Sequence, residues 1–282
     1  MNDVRAGSES AADVNPEVLY EVQEGIATIT LNRPERMNSI SRPMLAQLST
    51  LLLRADADPA VRVVILTATG RAFCAGLDLA GATSTTRNDA QIGSGGASAQ
   101  PQNVGLPKNA PPNVLFQMDK PTICAINGGA AGYGMDTALG CDIRIMAESS
   151  KLAPAFVKRG IVPESGGTWY LPRLVGWSKA AEIVFRGRTL SPAECLSLGL
   201  TSYVVPDGEL MSRARAIAAE IASNAPLAVQ SAKRLMRMGL EQTFGDHVDH
   251  VYLQFLTLMR TDDAREGMVS FMQKRAPEFK GR

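Results

Sequence analysis

The sequence predicts an α/β protein with a helical C-terminal extension, on three observations. Through the first two-thirds of its 282 residues, short apolar runs rich in β-branched residues alternate with segments of helical pattern, the signature of strands interleaved with helices. Two of those runs, 63–66 and 122–126, lead into glycine-bearing turns. One is Phe73-Cys74-Ala75-Gly76-Leu77-Asp78-Leu79; the other is Asn127-Gly128-Gly129-Ala130-Ala131-Gly132-Tyr133-Gly134-Met135-Asp136. Beyond Ser191 the pattern changes. Apart from one apolar run, Tyr203–Val205, the remainder reads as helix.

Taken in order, residues 1–15 are small and polar with mixed charge and no apolar stretch, so they are expected to form a disordered tail and not a signal peptide. Segments 18–22 and 26–31 read as a hairpin around Gln23-Glu24-Gly25. Ser41 is placed to cap a helix that carries Pro43 in its first turn and stops at Asp58-Pro59. A strand over 62–68 precedes the first glycine turn. Residues 81–113 are rich in Gly, Ser, Thr, Asn, Gln and Pro. A loop longer than about 15 residues in a compact domain is functional or disordered, and a mobile lid beside a site is expected here. A strand over 121–127 reaches the second turn, which runs into a helix over 135–139, and a strand over 142–147 follows. Ser191-Pro192-Ala193-Glu194 spells a capping box with proline at its first helical position. Helices are then predicted over 208–222, 226–239, 244–260 and 262–275. The division is a core over 16–190 and a mainly helical region over 191–282. In that region Val248, Val251, Phe255 and Leu258 form an apolar face suited to a subunit contact.

Composition narrows the function. The chain is 45% hydrophobic and 20% charged, with 29 basic against 28 acidic residues and a net charge of +1. That balance offers no electrostatic footprint for nucleic acid or an anionic membrane surface. No apolar run approaches the roughly 20 residues of a membrane span. Cys74, Cys124, Cys141 and Cys195 are dispersed among apolar neighbours with no CxxC spacing, the pattern of buried reduced thiols in a cytoplasmic protein.

The glycine turns carry the chemistry. A tight turn at a strand end or helix start presents free backbone N–H groups that can hold an anion or a developing oxyanion. Two such turns suggest a preorganised hole. His247 and His250 are the only histidines, and nothing places either beside a nucleophile, so acid–base work falls to carboxylates. Asp246, His247, Asp249 and His250 read as a solvated helix face, since no third ligand follows at metal-binding spacing. The stretch 93–96 lacks the strand, Lys-Ser/Thr and helix of a phosphate loop, and no dinucleotide fingerprint occurs.

At this point the residues resemble a family. Leu31-Asn32-Arg33-Pro34 with Asn38, both glycine turns, Cys141-Asp142, Gly166-Gly167-Thr168, Leu171-Pro172-Arg173-Leu174-Val175-Gly176, Ala193 with Gly199-Leu200, Asp262 to Gly267 and Phe279-Lys280 follow in order over roughly 16–280. Together they are similar to the enoyl-CoA hydratase/isomerase (crotonase) family. The resemblance implies repeated ββα turns wound into a superhelix, and a helical C-terminal region that forms trimers, often paired into hexamers. It implies an acyl-CoA thioester as ligand, so that coenzyme A is part of the substrate and no separate cofactor is called for. It places oxyanion donors at the backbone N–H groups of Leu77 and Tyr133, in agreement with the turns themselves. Backbone around Ala75, Gly76 and Asp78 would contact the adenine, and Lys280 would meet a CoA phosphate from a neighbouring subunit.

The acids depart from the hydratase pattern. Hydratases of the family carry two glutamates, one after the second glycine turn and one about twenty residues on. The first position here is Asp136. The second is Phe156, which cannot transfer a proton and is expected to wall the acyl pocket. Glu164, eight residues further along, matches the position of a catalytic acid in relatives that shift double bonds in dienoyl-CoA or displace halide from aryl-CoA. Asp136 and Glu164 are therefore the candidate proton carriers. Each also reads as a helix cap or dipole partner, Asp136 equally so. The Tyr133 ring reads as packing, and Trp169 and Trp177 as core. The expected activity is an isomerase-like or hydratase reaction on an enoyl-CoA, with the balance toward isomerisation because of Phe156. The alternatives are a non-catalytic acyl-CoA-binding relative, or another reaction of the family such as thioester hydrolysis, decarboxylation or dehalogenation.

Overall fold

The structure, a computed structural model, describes residues 16–78 and 108–282. It opens on a hairpin of β1 (Val18–Gln23) and β2 (Ile26–Leu31), with Glu24 and Gly25 both at positive φ in the two-residue turn. Helix α1 (Arg42–Ala57) starts at the expected cap, the Ser41 hydroxyl accepting from the Met44 N–H at 3.0 Å.

Three strand pairs follow. They are β3 (Val63–Ala68) with β4 (Ala72–Cys74), β5 (Thr122–Ile126) with β6 (Gly129–Ala131), and β7 (Ile143–Ala147) with β8 (Lys151–Ala153). A last strand, β9, spans Tyr203–Val205. The first member of each pair joins a six-stranded sheet in the order β1-β2-β3-β5-β7-β9, and the second joins a small sheet in the order β4-β6-β8. All pairings are parallel except that of β1 with β2. Helices α2 (Pro111–Gln117), α3 (Tyr133–Gly140) and α4 (Gly167–Val175) follow the three pairs in turn. This is a superhelix of ββα units.

Alternation along the strands builds the core on both faces of the large sheet. Val64, Leu66, Cys124 and Ile126 join one cluster with Leu48 and Leu52 of α1 and Leu139 of α3. Val63, Ile65, Ile123 and Ala125 point the other way, onto Leu210, Ala214 and Ala218 of α7 (Leu210–Ala222). All four cysteines are buried and unbridged. The chain continues with α5 (Trp177–Arg186), α6 (Pro192–Ser197), whose capping box forms as read, α8 (Pro226–Gly239), α9 (Phe244–Leu258) and α10 (Asp262–Gln273). Among the described residues no helix is long and apolar enough to cross a membrane.

The structure departs from the sequence reading in four places. The second glycine turn is not one turn but contains β6, and α3 begins at Tyr133 and not at Met135. Helix α2 starts at Pro111, inside the segment read as loop; residues 81–107 of that segment lie outside the described residues. Trp177 is 77% exposed on the first turn of α5 and is no core residue. On α9 the expected contact face is partly used within the chain. Val248, Val251 and Leu258 are half-buried, while Tyr252, Leu253, Phe255 and Leu256 stand exposed.

Candidate active site

The two glycine turns meet because their strands are neighbours. Cys74 of β4 pairs with Ala130 of β6, and Leu77 and Tyr133 each follow three residues later. The amides of Leu77 and Tyr133 therefore emerge side by side from the same end of the small sheet. Gly76 comes so close to the second turn that a side-chain carbon there would lie 3.1 Å from Ala131 O and 3.9 Å from Tyr133 N. The first turn is clamped on either side of Leu77, the Ile40 N–H donating to Gly76 O at 2.8 Å and the Asp78 N–H donating to Ile40 O at 3.0 Å. The second is clamped by the Gly132 N–H on Ala153 O at 2.9 Å. Gly132 has φ 53° and ψ −122°, a conformation open to glycine and strained for other residues. That bend turns the Tyr133 amide outward as α3 begins. Neither the Leu77 nor the Tyr133 N–H has an acceptor among the described residues.

Leu77 and Tyr133 both line a cavity of about 60 Å³, together with Ala75, Gly76, Gly132, Ala155, Phe156, Arg159, Ile161 and Glu164. Among the described residues Glu164 is the one acid in that lining. Its Oε1 is buried without a hydrogen-bond partner there, and burial pushes its carboxyl above the ordinary range, against a smaller pull from its own backbone N–H. Phe156 is buried and fills the wall. The Tyr133 ring packs into the core, and its hydroxyl is held neutral, chiefly by burial and further by the charges of Cys74, Glu164 and Asp136 around it.

Asp136, read as the second acid, does not line the cavity. It is 3% exposed, and its Oδ2 accepts from the Ser165 hydroxyl at 2.7 Å and from the Gly167 N–H at 3.0 Å. It does act as a cap, but of α4 and not of its own helix α3. Burial pushes its carboxyl up to about 7, more strongly than the bonds from Ser165 and Gly167 pull it down; the Glu164 charge adds to the rise. Ser165 as the partner of Asp136 was missed in the sequence. The signal was there: Glu164-Ser165-Gly166-Gly167 offers consecutive small donors at a helix start.

A second cavity of about 330 Å³ begins on the other side of Glu164, lined among others by Pro112, Phe116, Pro163, Ser165, Trp169 and Tyr170. Trp169 makes edge-to-face contacts with Phe116 and Tyr170, at centroid distances of 5.2 and 5.1 Å. It is thus half-buried in a cavity wall and not in the core. Of the other expected site residues, Asp78 pairs with Arg33 at 3.1 Å beside the first turn. Lys280 lies with α10 at the C-terminal end, its N–H on Asp263 Oδ1 at 2.6 Å, and the fold of one chain does not bring it to the cavity. His247 and His250 both contact the side chain of Gln242, at 3.3 and 3.1 Å.

A superhelix of ββα units with a helical C-terminal region is the fold of crotonase-type proteins, and solved structures agree. An enoyl-CoA hydratase from Bacillus anthracis superposes with a TM-score of 0.86 at 32% identity, over 94% of this chain and 100% of that one. The model of the enoyl-CoA hydratase/isomerase family matches residues 21–282, and the chain belongs to that family. It is 36% identical over 266 residues to a 1,2-epoxyphenylacetyl-CoA isomerase of Escherichia coli, covering 94% of this chain and 98% of the relative. To an (E)-benzylidenesuccinyl-CoA hydratase of Thauera aromatica it is 35% identical over 265 residues, covering 94% and 99%.

Proposed function

We propose that this protein isomerises an unsaturated acyl-CoA by moving one proton between two carbons of the acyl group. The thioester oxygen is held by the Leu77 and Tyr133 N–H groups. The Glu164 carboxylate takes a proton from one carbon, the electron pair spreads onto that oxygen as an enolate, and the same carboxyl returns the proton to another carbon. The observation that carries this reading is that Glu164 is, among the described residues, the one acid lining the cavity that Leu77 and Tyr133 also line. Hydration asks for two opposed carboxylates, one to activate water and one to protonate carbon, and Phe156 occupies the second place. Burial of Glu164 supports the same role, since a carboxyl pushed above its ordinary range is the stronger base when ionised.

The acyl group extends past Glu164 into the cavity walled by Phe116, Trp169 and Tyr170, whose flat faces suit a planar, aryl or conjugated acyl group. Two relatives carry names with aromatic acyl thioesters, which supports this choice. The apolar side chains left exposed on α9 and α10, Leu253, Phe255, Leu256 and Phe271 among them, are read as the contact surface of a trimer or of a hexamer of paired trimers. In that assembly Lys280 of one copy would reach the CoA phosphates bound by the next, and the Ala75-Gly76-Leu77-Asp78 backbone the adenine.

The test is a panel of 2-enoyl- and 3-enoyl-CoA thioesters, straight-chain and aryl, with products identified by mass and chromatography. The expected result is a product of unchanged mass, faster with aryl substrates, and a loss of about 10²–10⁴-fold in turnover for Glu164→Gln. Gain of one water as the main reaction, or full activity of Glu164→Gln, overturns it.

A further inference from the structure

Asp136 has no step in the reaction above, yet its carboxylate is among the most buried charged groups of the molecule. We propose that Asp136 is a positioning residue, whose carboxylate ties down the Glu164–Gly167 turn and so aims Glu164 at the cavity. The inference rests on the reading of Glu164 as the proton carrier.

Both tethers fall on residues that bracket Glu164 closely, the Ser165 hydroxyl and the Gly167 N–H, and both land on the same oxygen, Oδ2. The other oxygen is walled in. A side-chain carbon at Gly167 would stand 2.2 Å from Oδ1 and 2.7 Å from Cγ, so the turn lies flush on the carboxylate. Helix α4 receives no side-chain cap from Gly166, and the Asp136 carboxylate takes that place from a different helix. Glu164 has no such anchor of its own, its Oε1 being buried without a partner among the described residues. Its aim therefore depends on the backbone that carries it. A carboxyl with one oxygen doubly engaged, the other against backbone, and no share in the cavity lining is badly placed to touch a substrate carbon. It is well placed to hold a neighbour still.

The groups facing Asp136 are Tyr133 on its own helix, Glu164 on the turn and Tyr170 on α4, with Cys74 of β4 beyond Tyr133. No basic side chain forms an ion pair with it among the described residues. The anchor is thus made of the Ser165 hydroxyl and the backbone N–H groups of Gly167 and Ser165, and a neutral group of the same shape can replace the carboxylate they hold.

The experiment compares Asp136→Ala, Asp136→Asn, Ser165→Ala and Glu164→Gln for kcat and KM on a thioester the wild type converts, with hydrogen–deuterium exchange of the 164–168 amides measured on the free enzyme. Misaiming Glu164 is expected to cost Asp136→Ala about 10²-fold in kcat with little change in KM, together with faster exchange across 164–168. Asp136→Asn, which keeps an acceptor for Gly167, should recover most of the rate and the slow exchange, and Ser165→Ala should fall between. Glu164→Gln should lose activity with exchange unchanged. Should Asp136→Asn be as inactive as Asp136→Ala while its turn exchanges like the wild type, Asp136 transfers a proton and the proposal is wrong. Wild-type rate and exchange in Asp136→Ala overturn it equally. If Asp136→Ala does not fold, the Asn and Ser165 variants decide by the same signs. Full activity of Glu164→Gln would instead sink the proton-carrier reading, and the exchange data would still report whether Asp136 fixes the turn.

Discussion

At the scale of the residue, burial treats the two carboxyls of this chain differently. Glu164 keeps an edge on the cavity, whereas Asp136 is sealed beneath it and is pushed up to about 7. A group whose folded pKa is raised contributes stability that is fully present below its unfolded value and is lost as pH rises through the folded one. For Asp136 that window runs from the ordinary carboxyl value of 3.8 to about 7. Glu164 acts in the same direction, damped by its contact with solvent. Asp136→Asn is therefore expected to be more stable than the wild type by roughly 1–3 kcal/mol at pH 8 and to converge with it near pH 4. Denaturant unfolding across that range checks it; equal stabilities at pH 8 would show that the Ser165 and Gly167 bonds fully offset the burial. The candidate site was partly legible. Glu164 stood out by its place in a motif, and Phe156 by its inability to hold a proton. The small donors from Ser165 to Gly167 were legible as a helix start, but their acceptor Asp136 was not, because it lies about thirty positions away and is brought there by packing that no local pattern encodes.

At the scale of the element, β6 and α3 meet at one residue, Gly132, and its backbone angles decide where the Tyr133 amide points. A side chain at Gly132 would find room, its nearest neighbour being the Phe156 ring at 3.8 Å. The cost of Gly132→Ala is thus one of backbone conformation, about 1–3 kcal/mol. It should appear as lost stability in unfolding experiments and, through a rotated amide, as a turnover loss of about 10²–10³-fold. A variant of wild-type stability and rate would show that the bend is not required. The elements themselves were unevenly legible. The hairpin, α1, α6 and α7–α10 carry caps, turns and apolar periods of their own, and each was found close to its place. The strands β6 and β8 have three residues each, Gly-Ala-Ala and Lys-Leu-Ala. Their strand character comes from lying between neighbours and not from composition. Helix α4 hides behind two glycines at its start and Pro172 within it.

At the scale of the whole molecule, the chain leaves an apolar surface on its C-terminal helices that a single copy does not cover. Phe255 and Leu256 on α9 are 50% and 53% exposed, and Phe271 on α10 is 84% exposed. Patches of that kind mark contact surfaces. Light scattering is expected to give a trimer or hexamer for the wild type and a folded monomer for the double variant Phe255→Asp, Leu256→Asp; a monomeric wild type would refute the assignment. The general architecture was legible because strand and helix alternate in the chain. Its winding into ββα turns was implied by the family resemblance and by no local pattern, since the second sheet shows only in the pairing of β4 with β6 and of β6 with β8. That small sheet has a further consequence. Leu77 and Tyr133 each follow by three residues a paired position of adjacent parallel strands, Cys74 and Ala130, so the main chain of the small sheet and its two turns brings them together. That placement is made in main chain, so a substitution disturbs it by moving backbone, as at Gly132, and not by changing the side chains of Leu77 and Tyr133. Whatever new reactions such a scaffold acquires must be written on the facing wall, where Phe156 and Glu164 stand.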